Sequence, residues 1–137
     1  MEWTFGEYTL SDSQDKVVTE TVYLLLQDTY WGVRRPREVI ESMISHSLCF
    51  TLLKDKVQIG FGRAVTDYTV FTWLADIVID ERYRGQGLGK WMLGCMLEHP
   101  DIRDTHMVLQ TRDAHKLYEK YGFTKNQALM STQIDGL

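Results

Sequence analysis

The chain lacks the features that would place it in several broad classes. It has no basic excess: 15 Lys and Arg stand against 19 Asp and Glu, a formal charge of −4, whereas a protein that lives on nucleic acid carries a clear basic surplus. It has no apolar run near the roughly 18 residues a membrane helix needs. Neither nucleic acid nor a membrane is therefore an expected partner. Only two cysteines are present, Cys49 and Cys95. Each lies in an apolar run without a ligand partner at short spacing, which argues against a metal site and for buried thiols acting as small hydrophobes. No metal is expected. The opening Met1-Glu2-Trp3-Thr4 has no basic segment followed by an apolar one, so no secretory leader and a cytoplasmic location are expected. With no repeat, linker or low-complexity stretch, a single domain over residues 1–137 is the simplest organisation.

What is there reads as alternating element types. Residues 3–10 suit an opening strand. Ser11 and Gln14 have the spacing of a capping box, which predicts a first helix from there to near Asp28. Pro36 suits the first turn of a second helix, in which Val39, Ile40, Met43 and Ile44 share a face and which ends near His46. Residues 48–53, 57–65 and 70–79 read as three strands of an antiparallel meander, with Gly60 and Gly62 permitting a bulge or a close approach. Residues 87–98 form the best-defined helix, its apolar side chains Leu88, Trp91, Met92, Cys95 and Met96 at helical spacing. A strand over 106–111, a short helix capped by Asp113, a left-handed Gly122 behind it and a last strand over 127–133 complete the chain. The order predicts an α+β (mixed α/β) layer architecture.

The run Arg84-Gly85-Gln86-Gly87-Leu88-Gly89-Lys90 stands between the strand end Ile77-Val78-Ile79 and a helix. The first N–H groups of a helix have no intrahelical partner and carry partial positive charge. Glycines let backbone curl around an anion there, and Arg84 and Lys90 add charge, so the run suits a pyrophosphate. A Walker loop is excluded, because Arg84 stands where its first glycine belongs and Trp91 where Ser or Thr must follow the lysine. A dinucleotide fingerprint is excluded, because the spacing is G-x-G-x-G rather than G-x-G-x-x-G.

The remaining pattern, R-x-x-G-x-G at Arg84, Gly87 and Gly89, resembles the GCN5-related N-acetyltransferase (GNAT) family. The lead-in Asp80-Glu81-Arg82-Tyr83 is similar to that family's, and Leu117-Tyr118-Glu119-Lys120-Tyr121-Gly122-Phe123 resembles its second signature, a tyrosine-bearing helix closing in Gly-Phe. The resemblance covers residues 72–123. It implies a GNAT-like fold: a mostly antiparallel twisted sheet with one splayed parallel strand pair, flanked by about four helices. It implies acetyl-coenzyme A as acyl donor and acetyl transfer to an amine of a small molecule or peptide by direct attack. The donor would lie between the strand ending at Ile79 and the strand over 106–111. Backbone of Ile77, Val78 and Ile79 would meet its pantetheine arm, and N–H groups of Arg84, Gly85, Gln86, Gly87, Leu88, Gly89 and Lys90 its pyrophosphate. Thr111 stands where the family often has an asparagine on the arm, and its hydroxyl can substitute. Tyr118 matches the tyrosine that meets the departing thiolate. The resemblance also admits a homodimer.

Three roles remain to be filled. The attacking amine must be neutral, although a free alkyl ammonium has a pKa of about 10. Asp76, on the strand beside the expected thioester, is the candidate base, with His115 behind it; the other readings of Asp76 are a fixed acceptor or an edge charge. The thioester oxygen needs a donor, most simply a strand N–H near Ile77. Tyr30, Trp31, Arg34, Arg35 and Arg37 cluster between the first two helices and suit an acidic or aromatic acceptor, with Trp73 and Asp67 beside them; the competing reading is a solvated basic face. His46, His99 and His106 read as surface or cap residues. A non-catalytic acyl-coenzyme A sensor would keep the glycine loop and dispense with Tyr118. A nucleotide-binding regulatory module or a purely structural interaction domain would not need both signatures.

Overall fold

The computed structural model describes residues 1–132. It contains one six-stranded sheet whose spatial order is the chain order, β1 (Glu2–Phe5), β2 (Tyr8–Ser11), β3 (Leu48–Lys54), β4 (Val57–Thr66), β5 (Phe71–Ile79) and β6 (His106–Leu109). Every neighbouring pair is antiparallel except β5 and β6, which run parallel. Four α-helices flank it: α1 (Thr19–Gln27), α2 (Arg37–Ser45), α3 (Leu88–Leu97) and α4 (His115–Glu119). This is the mixed GNAT-type fold expected.

Two apolar layers cover the sheet. On one face α3 buries Leu88, Met92, Leu93 and Met96 against Leu10, Phe50, Leu52, Ala64, Leu74 and Ile79. Each such side chain stabilises the fold by about 1.5–3 kcal/mol. On the other face α1 and α2 bury Val22, Leu26 and Ile40 against Cys49, Phe61 and Val78. Glycine allows the close seating of α3: a Cβ on Gly62 would lie 2.9 Å from Met96 Sδ.

Local signals were overridden where long-range pairing competes. Residues 3–10 form two strands rather than one, because Gly6 adopts φ +60° and turns the chain back. The first helix does not start at Ser11. That residue ends β2, paired with Thr51, and its Oγ accepts from the Ser13 N–H at 3.1 Å. A short 3-10 turn, Gln14–Lys16, intervenes before α1. Pro36 opens α2 as its N-cap, its carbonyl accepting from Val39 and Ile40 in the first turn. Thr111 Oγ1, not Asp113, accepts the Ala114 N–H that opens α4. Residues 124–132 are neither strand nor helix, so the last strand expected over 127–133 is absent through residue 132; Gln133 lies outside the described residues.

Both thiols are unpaired, Cys49 buried and Cys95 half-buried. His99 is a core residue, contrary to expectation: Nε2 meets Asp12 Oδ2 at 2.8 Å, and the ring packs on Trp3 and Phe50.

Candidate active site

The site begins where β5 and β6 part. Their pairing runs from Phe71 with His106 to Leu74 with Leu109 and stops. From Ala75 to Ile79, β5 continues alone on that side, while the chain after Leu109 turns away towards α4. A cleft of about 1310 Å³ opens at this divergence.

A bulge shapes the β5 wall. Phe61 pairs with Val78 and Arg63 with Ala75, so Gly62 alone faces Asp76 and Ile77. Asp76 takes φ +56°, a left-handed conformation that Asp tolerates better than most residues. The extra residue reverses the alternation of the strand. Leu74 and Ile77 thereby share the α3 face, and Asp76 turns to the α1–α2 face.

Asp76 is fully engaged there. Its side chain is 0% exposed. Arg35 Nη1 donates to both carboxylate oxygens at 2.8 Å, Arg63 Nε donates to Oδ2 at 2.5 Å and Trp31 Nε1 donates to Oδ1 at 2.9 Å. These donors occupy the lone pairs that a general base would offer an amine. Of the readings open for Asp76, these contacts suit that of a fixed acceptor better than that of a base. Spacing could not have named Arg35 as partner across so many intervening residues.

The anion end is built as the glycine run suggests. Gly87 is the N-cap of α3 at φ +82°, and Gly85 has φ +81°. A Cβ at either position would touch nothing within 4 Å, so it is backbone conformation, not space, that calls for glycine. Arg84 Nε donates to the Ile79 carbonyl at 2.8 Å and ties the loop to the end of β5. Gln86 turns outward: its Oε1 accepts from Tyr8 at 3.0 Å and its Nε2 donates to the Tyr83 carbonyl, so its side chain anchors the loop from behind. The other expected donor-site residues, Ile77, Val78, Ile79, Arg84, Gly85, Gly87, Leu88, Gly89, Lys90, Thr111 and Tyr118, all line the cleft.

Tyr118 stands on the opposite wall. Its ring packs edge-on against Phe123, centroids 6.0 Å apart, behind Gly122 at φ +91°. Its hydroxyl has no hydrogen-bond partner among the described residues. Burial, with lesser contributions from Tyr30 and Asp113, pushes the phenol above its ordinary pKa of 10.0. Tyr121 Oη donates to the Lys90 carbonyl at 2.9 Å, tying the end of α4 to the first turn of α3.

Tyr30, Trp31, Arg34 and Trp73 line the other half of the cleft. The arginine cluster divides. Arg34 is exposed on the cleft, Arg35 is committed to Asp76, and Arg37 pairs with Glu20 on α1 and covers the Tyr23 ring. Asp67 lies elsewhere, accepting the Thr69, Val70 and Phe71 amides in the β4–β5 turn, and His115 is outside the cleft. Tyr83 and Arg112 line it without having been expected to; the aromatic in the lead-in was the available signal for Tyr83.

A family model described as "Acetyltransferase (GNAT) domain" matches residues 45–125, which hold both walls of the cleft. The chain belongs to the GNAT acetyltransferase family. A solved GNAT-family structure from Xanthomonas campestris pv. campestris superposes with a TM-score of 0.89 at 32% identity, covering 95% of each chain. An uncharacterized N-acetyltransferase of Gracilaria tenuistipitata var. liui is 30% identical over 72% of this chain and 58% of its own length. The spermine/spermidine N(1)-acetyltransferase of Bacillus subtilis (strain 168) is 35% identical over 63 residues, 42% of this chain and 41% of that protein. Acetyl transfer is therefore the chemistry of the family to which this cleft belongs.

Proposed function

We propose that the chain, acting as one domain in the cytoplasm, transfers the acetyl group of acetyl-coenzyme A to an amine of a small molecule or peptide. The observation that carries this reading is the parting of β5 and β6 beyond Leu74 and Leu109, next to a helix opened by two left-handed glycines and facing Tyr118. The residues present fit the donor. An extended arm can lie along the β5 edge that β6 leaves at Ile77 to Ile79. The first-turn N–H groups of α3, with Arg84 and Lys90 beside them, suit a pyrophosphate. Thr111 is available to the arm through its hydroxyl, although that oxygen already accepts the Ala114 N–H.

Bound acetyl-coenzyme A would supply the thioester carbonyl and a thiolate leaving group. Tyr118 would donate its proton to that thiolate and regain one, directly or through water, from the acceptor nitrogen, which sheds a proton as the amide forms. Its raised pKa keeps it protonated throughout the neutral range, as a general acid requires. A strand N–H near Ile77 is the nearest candidate to receive the carbonyl oxygen. With Asp76 engaged, the acceptor is read as binding in its neutral form, so the rate should rise with pH towards the amine's own pKa of about 10. Tyr30, Trp31 and Trp73 offer aromatic walls to the acceptor, and Arg34, which has no ion-pair partner among the described residues, offers a site for an acidic group.

Thermal unfolding with added ligand tests the donor assignment. Saturating acetyl-coenzyme A should raise the midpoint, by about 3 kcal/mol of stabilisation at a hundredfold excess over its dissociation constant, while ATP and NAD should not. No shift with acetyl-coenzyme A would sink the reading. Release of free thiol over a panel of spermidine, aromatic amines and carboxylate-bearing amines then names the acceptor class; spermidine enters because of the Bacillus subtilis relative's name.

A further inference from the structure

Segment 28–36, between α1 and α2, carries Tyr30, Trp31 and Arg34. Part of its shape is local. Thr29 Oγ1 donates to the Leu26 carbonyl at 2.7 Å and accepts the Gly32 N–H at 3.0 Å, and the Arg35 N–H reaches the Gly32 carbonyl at 3.1 Å. Gly32 is needed for this fold-back, since a Cβ there would lie 2.9 Å from Thr29 Oγ1.

The segment's hydrogen bonds to the sheet and to the α4 side fall at two places, one on each wall of the cleft. On the β5 wall, Trp31 Nε1 and Arg35 Nη1 both end on Asp76. On the opposite wall, the Tyr30 hydroxyl accepts the Arg112 N–H at 3.1 Å, with the Arg112 guanidinium 3.7 Å from the Tyr30 ring centre. The two anchors differ in kind. Arg63 belongs to β4, next to Asp76 in the sheet, and already neutralises that carboxylate. Arg35 is a second cation that the sheet does not need for charge balance, and it arrives from the segment. Its side chain is only 16% exposed, so its attraction to Asp76 is weakly screened. The indole N–H beside it fixes which way the Trp31 ring faces.

We infer that Arg35 and Trp31 are positioning residues that latch segment 28–36 onto the bulge of β5 through Asp76, and that this latch sets the acceptor half of the cleft without contributing to the donor half. The description of the two halves rests on the proposed acetyl transfer; the latch rests on the contacts alone. Asp76 suits the role because the bulge fixes its backbone and burial fixes its carboxylate. The two loop-borne donors then converge on one immobile acceptor. Tyr30, next in the chain to Trp31 and edge-on to it at 5.0 Å between ring centres, carries the effect across to Arg112.

The test uses the full chain and compares Arg35→Met, Arg35→Lys and Trp31→Phe with the parent. Arg35→Met keeps an apolar stem and leaves the Asp76–Arg63 pair neutral, so folding is preserved. Hydrogen exchange should show the Gly32 and Arg112 amides exchanging about tenfold faster or more in Arg35→Met, with a smaller rise in Trp31→Phe. The amides of β4 and β5 should not change. Because Nη1 alone meets both oxygens, one ammonium can replace it, and Arg35→Lys should return the Arg112 amide towards parental exchange. Calorimetry should give the same acetyl-coenzyme A dissociation constant for parent and Arg35→Met. Unchanged exchange at Gly32 and Arg112 would overturn the inference. So would acceleration spreading through β4 and β5, no recovery in Arg35→Lys, or weakened acetyl-coenzyme A binding in Arg35→Met. If the parent itself does not bind acetyl-coenzyme A, the proposed function falls, while the exchange comparison still decides the latch.

Discussion

Replacing Gly87 and Gly94 by alanine, one at a time, separates conformational need from helix propensity within a single helix. Neither position resists a Cβ on steric grounds, since nothing lies within 4 Å of either. They differ in backbone. Gly87 has φ +82° as the N-cap of α3, whereas Gly94 lies in its interior at no such angle. A non-glycine residue held left-handed costs about 1–2 kcal/mol. Alanine for glycine inside a helix contributes about 0.5–1 kcal/mol in the opposite direction. At about 2.1 cal/mol/K per residue, unfolding 137 residues has an entropy of roughly 0.3 kcal/mol/K. Gly87→Ala should therefore lower the melting midpoint by about 3–7 °C, and Gly94→Ala should raise it by about 2–3 °C. Asparagine, which tolerates the left-handed region, should cost clearly less than alanine at position 87. Scanning calorimetry of the three variants beside the parent is sufficient. A second reading comes from acetyl-coenzyme A, whose stabilising shift should shrink in Gly87→Ala and persist in Gly94→Ala. If alanine costs the same at both positions, the argument that conformation dictates the glycine loop is refuted.

Tyr118→Phe should keep the Phe123 contact and acetyl-coenzyme A affinity while lowering thiol release by about a hundredfold; equal turnover would remove Tyr118 from the reaction. Since burial raises the phenol above 10.0, and a proton donor is competent below its pKa, Tyr118 should impose no alkaline fall in rate until beyond that value. Three backbone amides hold Asp67 below its ordinary 3.8. The stability it contributes is complete above that value and is lost as pH falls through the lower folded one, so the deficit of Asp67→Ala in chemical denaturation should vanish in strong acid. Burial pushes the Cys49 thiol up to about 11, so iodoacetamide at pH near 8, where thiolate is the reactive form, should label it only after unfolding.

The elements whose signals are local were legible. The periodicity of α3, the meander of β3 to β5 and the left-handed Gly122 all follow from neighbours within a few residues. The failures share a cause, which is competition from partners distant in the chain. Ser11 and Gln14 have the spacing of a cap, yet pairing with Thr51 keeps Ser11 in the sheet. His99 gave no local hint of burial because Asp12, Trp3 and Phe50 supply its surroundings. At the site, the glycine loop and Tyr118 were readable because a motif places them, and the structure sets both on one cleft. Asp76 was found, but its partners were not. The bulge sets which face its carboxylate takes, and only the folded chain shows that two guanidiniums and an indole already hold it. Gln86 shows the converse: it lies within the motif, but Tyr8, far away in the chain, draws its side chain out of the cleft.

The sheet's spatial order repeats its order along the chain, and this bears on assembly. Each strand on emerging can pair with the one before it, so the sheet can grow from one side during synthesis with modest chain-closure cost. Every such growing sheet has an open margin, and in most proteins the next strand conceals it. Here the last strand covers only the first part of β5, and the margin from Ala75 to Ile79 persists in the mature molecule. A bare strand margin is also a template for unwanted pairing between molecules. The same backbone that would seat a donor's arm is thus a further margin, besides those of β1 and β6, at which an empty molecule can pair with another chain, and steady occupancy by the donor would double as protection.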